Sequence, residues 1–167
     1  MKKTFLLSII MLAFCFVTIA QDRTNFKAGF NAGIPVGDFS EAFAFSVGVD
    51  VAYHYGVSEL IDLGAATGYI NIFGDTVNTI GEIEAEFEDY SFMPVAASLR
   101  IYPTYHFKFG ADVGYAVATA NDSEGGLYYR PVIGYNITGN TELNVSYMAI
   151  DNDGTLAVAT LGLLFLF

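Results

Sequence analysis

The sequence predicts an all-β protein: an eight-stranded antiparallel up-and-down transmembrane β-barrel preceded by a signal peptide. Three observations predict it. Apolar residues alternate with small or polar ones along eight segments, the period-two spacing of a strand with one apolar face. The chain is 53% hydrophobic and 16% aromatic with a mean hydropathy of +0.44. Yet after residue 20 it lacks the run of about eighteen apolar residues that a spanning helix requires. The segments are also joined by connections that alternate between short and long, as in membrane barrels.

At 167 residues the chain makes one domain, and a 15% charged content with abundant apolar residues excludes intrinsic disorder. Seven basic residues against eighteen acidic ones, a net charge of -11, exclude nucleic acid as a partner. Residues 1–20 read as a secretory signal peptide and 21–167 as the barrel domain. Lys2 and Lys3 give the positive start, residues 5–20 are apolar apart from Ser8 and Thr18, and Ala20 before Gln21 resembles a small-residue cleavage site. The one cysteine, Cys15, falls inside that leader, so the mature chain carries no thiol or disulfide.

Each segment has a bulky face and a small or polar one. Phe26, Ala28, Phe30, Ala32 and Ile34 oppose Lys27, Gly29, Asn31 and Gly33. The second segment sets Phe45, Val47, Val49, Val51, Tyr53 and Tyr55 against Ser46, Gly48, Asp50, Ala52 and His54. The third runs from Ile61 to Tyr69 with Asp62, Gly64, Ala66 and Gly68 on the small face, and the fourth from Met93 to Ile101 with Ser98 and Arg100 on it. The fifth, from Tyr105 to Tyr115, opposes Lys108, Gly110, Asp112 and Gly114. The sixth sets Tyr129, Pro131, Ile133 and Tyr135 against Arg130, Gly134 and Asn136. The seventh sets Leu143, Val145 and Tyr147 against Glu142, Asn144 and Ser146, and the eighth ends the chain with Leu161, Leu163, Phe165 and Phe167 on one face. Small residues suit a narrow lumen, and bulky apolar ones ending in aromatics suit a lipid-facing exterior with two aromatic girdles. A soluble lipocalin-type barrel would place its bulky residues inside. An even strand count puts both termini on the short-turn side, which is the periplasm for a barrel in the cell outer membrane.

These features resemble the small eight-stranded outer-membrane β-barrels of the porin-like superfamily over the whole mature chain. The terminal Leu161-Gly162-Leu163-Leu164-Phe165-Leu166-Phe167 is similar to the alternating signal with a final Phe that the barrel-assembly machinery reads. Phe92-Met93-Pro94-Val95 leading to Leu99-Arg100-Ile101-Tyr102 is similar to the fourth strand of such proteins. The resemblance implies fold and location and marks Phe165 and Phe167 as the assembly signal. It implies contact with outer-membrane lipid and lipopolysaccharide, and it leaves activity open because one scaffold serves many functions.

The charges partition by compartment. The long connections hold Asp38, Glu41, Asp75, Glu82, Glu84, Glu86, Glu88, Asp89, Asp122, Glu124, Asp151 and Asp153 and no Lys or Arg. The small faces hold Lys27, Arg100, Lys108 and Arg130 against Asp50, Asp62, Asp112 and Glu142. Symmetry about each connecting loop pairs Lys27 with Asp50, Asp62 with Arg100 and Asp112 with Arg130 as lumen ion pairs between neighbouring strands. Glu82, Glu84, Glu86 and Glu88 alternate with Ile83, Ala85 and Phe87, so the fourth strand is expected to continue as a projecting acidic hairpin. That hairpin reads either as a solvated acidic strand extension or as an edge that docks a cationic or strand-pairing protein partner at the 74–91 loop. Carboxylates about 6.8 Å apart on one strand face do not share a cation, and in Asp151-Asn152-Asp153-Gly154 the calcium-loop glutamate position is Gly162, so that segment reads as a tight turn.

No metal, cofactor or catalytic set is expected. The two histidines, His54 and His106, map to the short-turn half, far from the acidic loops, and His54 is expected to face the lumen near Asp62. The leading expectation is an outer-membrane barrel with a plugged, charge-paired lumen, acting through acidic extracellular loops in surface interaction or envelope structure. The alternatives are a narrow porin-like channel or binding barrel for small solutes and, third, a soluble periplasmic carrier.

Overall fold

Alternating sequences on two-faced strands have one way to leave no edge unpaired, and the chain takes it by closing on itself. The computed structural model describes residues 25–37, 40, 42–79, 83–119 and 124–167; the leader expected at 1–20 lies outside them. Its strands are β1 (Phe26–Val36), β2 (Phe43–Gly56), β3 (Ile61–Gly74), β4 (Thr76–Thr79), β5 (Ile83–Glu86), β6 (Tyr90–Ile101), β7 (Phe107–Ala118), β8 (Gly126–Thr138), β9 (Thr141–Asp151) and β10 (Thr155–Leu166). Eight of them form a closed barrel in the order β1-β10-β9-β8-β7-β6-β3-β2, and every ladder is antiparallel. β4 and β5 form a separate two-stranded hairpin.

The seam between first and last strands runs from Lys27 opposite Leu166 to Val36 opposite Ala157. It ends where the Phe167 amide donates to the Phe26 carbonyl at 2.9 Å and the two rings lie 6.0 Å apart. Both described ends of the chain therefore sit with the short turns β2–β3, β6–β7 and β8–β9, a rim called here the terminus end. The opposite rim, the loop end, carries the remaining connections and the β4–β5 hairpin.

The hairpin continues the barrel ladder. Ile72 pairs with Tyr90 in the barrel and Thr76 with Glu86 in the hairpin, the same register about residue 81. Between the two ladders Asp89 supplies what the strands do not. Its carboxylate accepts from the Gly74 amide at 3.1 Å and from Asn71 Nδ2 at 3.2 Å. The acidic hairpin expected there is thus built from Glu84 and Glu86 on β5 and exposed Glu88 at its base, while Glu82 lies outside the described residues.

Burial is inverted relative to a water-soluble barrel. Phe30, Ile34, Val95 and Leu161 stand outward and exposed, while every charged residue on the small faces is buried. Exposed aromatics mark both rims of the outer surface: Phe26, Tyr53, Tyr105, Tyr135 and Phe165 towards the terminus end, and Phe45, Tyr69, Tyr115 and Tyr147 towards the loop end. Such a surface is stable against hydrocarbon and costly against water.

Candidate functional site: a two-layered lumen beneath an acidic loop end

The lumen is filled from all eight barrel strands, in two layers of opposite chemistry. The layer towards the terminus end is ionic. Lys27, Asp50, Asp62, Arg100, Lys108, Asp112, Arg130 and Glu142 are all no more than 7% exposed. Charges so far from water require partners, and they have them.

Arg130 forms a two-pronged pair with Asp50, Nη1 to Oδ1 at 2.8 Å and Nη2 to Oδ2 at 3.0 Å. β8 and β2 are four strands apart in either direction around the ring, so this pair spans the diameter of the barrel. Arg130 Nε also donates to Ser146 Oγ at 2.8 Å, and Asn31 Nδ2 donates to Asp50 Oδ2 at 2.9 Å. Arg100 makes a second two-pronged pair, with Asp112 on the next strand at 2.7 and 3.1 Å. Asp112 further accepts from Ser98 Oγ at 2.6 Å, and Ser98 in turn meets His54 Nε2 at 2.7 Å. Lys108 pairs with Glu142 across the intervening β8. Lys27 Nζ donates to Tyr102 Oη at 2.8 Å, and Tyr102 is hydrogen-bonded to Asp62.

The structure therefore places all six residues expected as lumen pairs inside the barrel but partners them differently. Asp62 lies directly opposite Arg100, and Asp112 opposite Arg130, as loop symmetry predicts. Lys27 faces Ala52 and Asp50 faces Gly29, a two-residue offset from the expected Lys27–Asp50 register. The two-pronged contacts join Arg100 to Asp112 and Arg130 to Asp50, so the expected pairing is corrected. The physical reason is the width of the tube. In an eight-stranded barrel a guanidinium reaches the far wall, and nearest-neighbour strands no longer limit the choice of partner. His54 lies in the lumen as expected, where its Nε2 meets Ser98 Oγ across β3.

Luminal glycines make these bridges fit. Lys108 lies opposite Gly134, where a Cβ would fall 2.6 Å from Lys108 Cε and 2.9 Å from Glu142 Oε1. Arg100 lies opposite Gly110, where a Cβ would fall 2.5 Å from Arg100 Cδ. At this level a space of about 20 Å³ remains, lined by Asp50, His54, Arg100, Lys108, Asp112, Arg130 and Asn144 among others. That is room for about one water molecule.

The layer towards the loop end is apolar, which sequence reasoning missed. Ile70, Ile72, Phe92, Ala116, Tyr128, Met148, Ile150 and Val158 form a buried cluster across the tube, with Phe43, Tyr90 and Leu156 packed on it. The signal was available. Ile70 and Ile72 keep the parity of Asp62, Gly64 and Gly68, Tyr128 that of Arg130, and Met148 and Ile150 that of Glu142 and Ser146. Following the inward alternation past Tyr69, Tyr129 and Tyr147 locates the cluster.

Above it the loop end forms an open cup of about 380 Å³, lined by Ala42, Phe43, Phe87, Tyr90, Glu124, Ile150, Asn152, Asp153, Gly154 and Leu156. Tyr90 Oη donates to the Glu124 carbonyl at 2.8 Å, and Asn152 Nδ2 donates to Glu124 Oε2 at 3.3 Å, so two connections are tied together over the cup. Asp151 to Gly154 is a tight turn, closed by Thr155 opposite Asp151 and by the Asn152 amide on the Gly154 carbonyl at 3.1 Å.

No protein-family model matches the chain, and no curated protein matches it. Solved structures do. A de novo designed transmembrane β-barrel aligns with a TM-score of 0.57 and 15% identity over 89% of this chain and 100% of the design. The attachment invasion locus protein Ail of Yersinia pestis, also solved with the heparin analogue sucrose octasulfate, aligns at 0.53 and 15% identity over 86% of this chain and 97% of its own. The N-terminal β-barrel domain of Pseudomonas aeruginosa OprF aligns at 0.53 and 14% identity over 88% and 100%. What this chain shares with all three is the fold: it is a closed eight-stranded membrane-type β-barrel of the kind found among small outer-membrane proteins.

Proposed function

We propose that the protein is a non-enzymatic outer-membrane barrel with a sealed lumen, acting through its acidic loop end in surface interaction or envelope structure. The observation that carries this reading is the Arg130–Asp50 pair, which ties opposite walls of the tube together under an apolar cluster that no hydrated ion crosses readily. The sign of the loop end narrows the kind of interaction. It has no Lys or Arg, so it is unsuited to a sulfated polyanion such as the one bound by Ail and suited to a cationic surface. On this reading the termini are periplasmic and the loops external.

In a planar bilayer the purified protein gives no steady single-channel current. Reproducible conductance that changes when Arg100 or Asp112 is neutralised would establish the narrow channel instead. Assembly follows from the same reading. Phe167 is 68% exposed and closes the seam on Phe26, where the assembly machinery would meet it. Deleting Phe167 sharply lowers outer-membrane yield; an unchanged yield would remove its role as the assembly signal.

A further inference from the structure

We infer that the cup at the loop end is a binding site for a small amphipathic cation, a protonated amine carried on an apolar or aromatic body. This rests on the reading of the barrel as acting through its loop end. The cup's volume of about 380 Å³ lies within the range of small-molecule sites, which are concave, mainly apolar and carry a few placed polar groups.

The apolar body is specified by the floor. Phe43, Tyr90 and Leu156 rest on the buried cluster beneath and are themselves only partly covered, so they offer ring and methyl surface that the barrel leaves unfilled. These side chains come from β2, β6 and β10, on different walls of the tube, so the cup is centred over the lumen rather than lying on the outer, lipid-facing surface. The charge is specified by the rim. Glu124 and Asp153 line the opening, and the connections around it contain no Lys or Arg. The Asn152 contact holds the Glu124 carboxylate over the cup and uses only part of its capacity to accept hydrogen bonds, so an ammonium group can be taken as well. An anion of the same shape would meet the repulsion of both carboxylates. The bracing of Glu124 by Tyr90 and Asn152 holds this arrangement before a ligand arrives, which lowers the ordering cost of binding.

The test uses the full chain in nanodiscs of zwitterionic lipid, with empty nanodiscs subtracting partition into the bilayer. Three probes share one body: 2-(1-naphthyl)ethylamine, the matching alcohol 2-(1-naphthyl)ethanol and 1-naphthaleneacetate. Titration calorimetry should show saturable binding of the amine, about tenfold weaker binding of the alcohol, and weaker binding still of the carboxylate. The double variant Glu124→Gln/Asp153→Asn should bring the amine down to the alcohol's affinity and leave the alcohol unchanged. Leu156→Trp, which fills the floor, should abolish both. Raising salt from about 50 to 500 mM on the unaltered protein should narrow the gap between amine and alcohol, so the charge argument stands or falls even where a variant fails to fold. No saturable binding beyond empty nanodiscs, equal affinity for amine and carboxylate, or a gap indifferent to salt overturns the inference. A barrel that conducts but still binds the amine would sink the sealed-lumen reading and spare this one.

Discussion

The two layers of the lumen solve one packing problem by opposite means. Towards the terminus end the tube is filled by charged side chains that reach one, two or four strands away, over glycines that leave room for them. Towards the loop end it is filled by Ile70, Phe92, Tyr128 and Met148, which meet in the middle as any apolar core does. The apolar layer tolerates imprecision, because dispersion and burial are non-directional. The ionic layer does not, because each charge taken from water depends on a partner in one geometry. A register slip of one residue would turn these charges out to lipid, so the ionic layer specifies the barrel and the apolar layer mainly fills it.

Breaking the diametric pair separates the layers most strongly. Arg130→Met leaves the Asp50 carboxylate buried with Asn31 as its remaining described partner and should cost about 3–5 kcal/mol. Replacing both, as Asp50→Leu/Arg130→Met, should recover most of that loss, because an apolar pair of similar volume carries no desolvation penalty. Urea unfolding of the barrel in lipid vesicles measures both. Additive losses in the double variant would show that the pair does not act as a unit.

In the apolar layer the corresponding experiment should have no rescue. Met148 is 2% exposed and has no charge to leave behind, so Met148→Ala should cost about 2–5 kcal/mol through lost burial and a cavity. The size should depend on how far Ile150 and Tyr128 relax into the space. Because the ionic layer lies intact below, the variant should stay electrically silent. A steady current from Met148→Ala alone would place the seal in the apolar layer and strip the ion pairs of that role.

The sequence made the ionic layer legible and hid its wiring. All eight luminal charges stand on the small face of an alternating segment, so period two alone puts them inside. Partner choice was not legible, because loop symmetry reports which backbone residues face each other and says nothing of what a long side chain reaches across the tube. Arg130 faces Asp112 in register yet grips Asp50 on the far wall. The hairpin was readable from Ile83-Glu84-Ala85-Glu86, but the Asp89 caps that connect it to the barrel depend on a break in the ladder that no local pattern announces. The apolar layer was present in the same parity and was hidden by reading the strands as stopping short of the loop end, at Tyr69, Met93, Tyr129, Tyr147 and Leu161.

The smallest expected effect tests the link between the glycines and the ion pairs, the feature that most distinguishes the ionic layer. Gly134 sits between Lys108 and Glu142, and an alanine there places its methyl against the Lys108 stem and the Glu142 carboxylate. Both side chains are buried and held by each other, so neither yields as a surface lysine would. Gly134→Ala should therefore cost about 1–3 kcal/mol, in spite of alanine's gentler entropy of folding. Gly139 in the β8–β9 turn is the control: its added Cβ meets nothing nearer than Tyr105 Oη at 3.9 Å, and Gly139→Ala should be close to neutral. A cycle with Lys108→Ala identifies the cause. If the glycine exists to seat the pair, removing the lysine frees the space, and Gly134→Ala should cost much less in that background than in the intact protein. Equal costs in both backgrounds would assign the glycine to the backbone and leave the Lys108–Glu142 bridge independent of it.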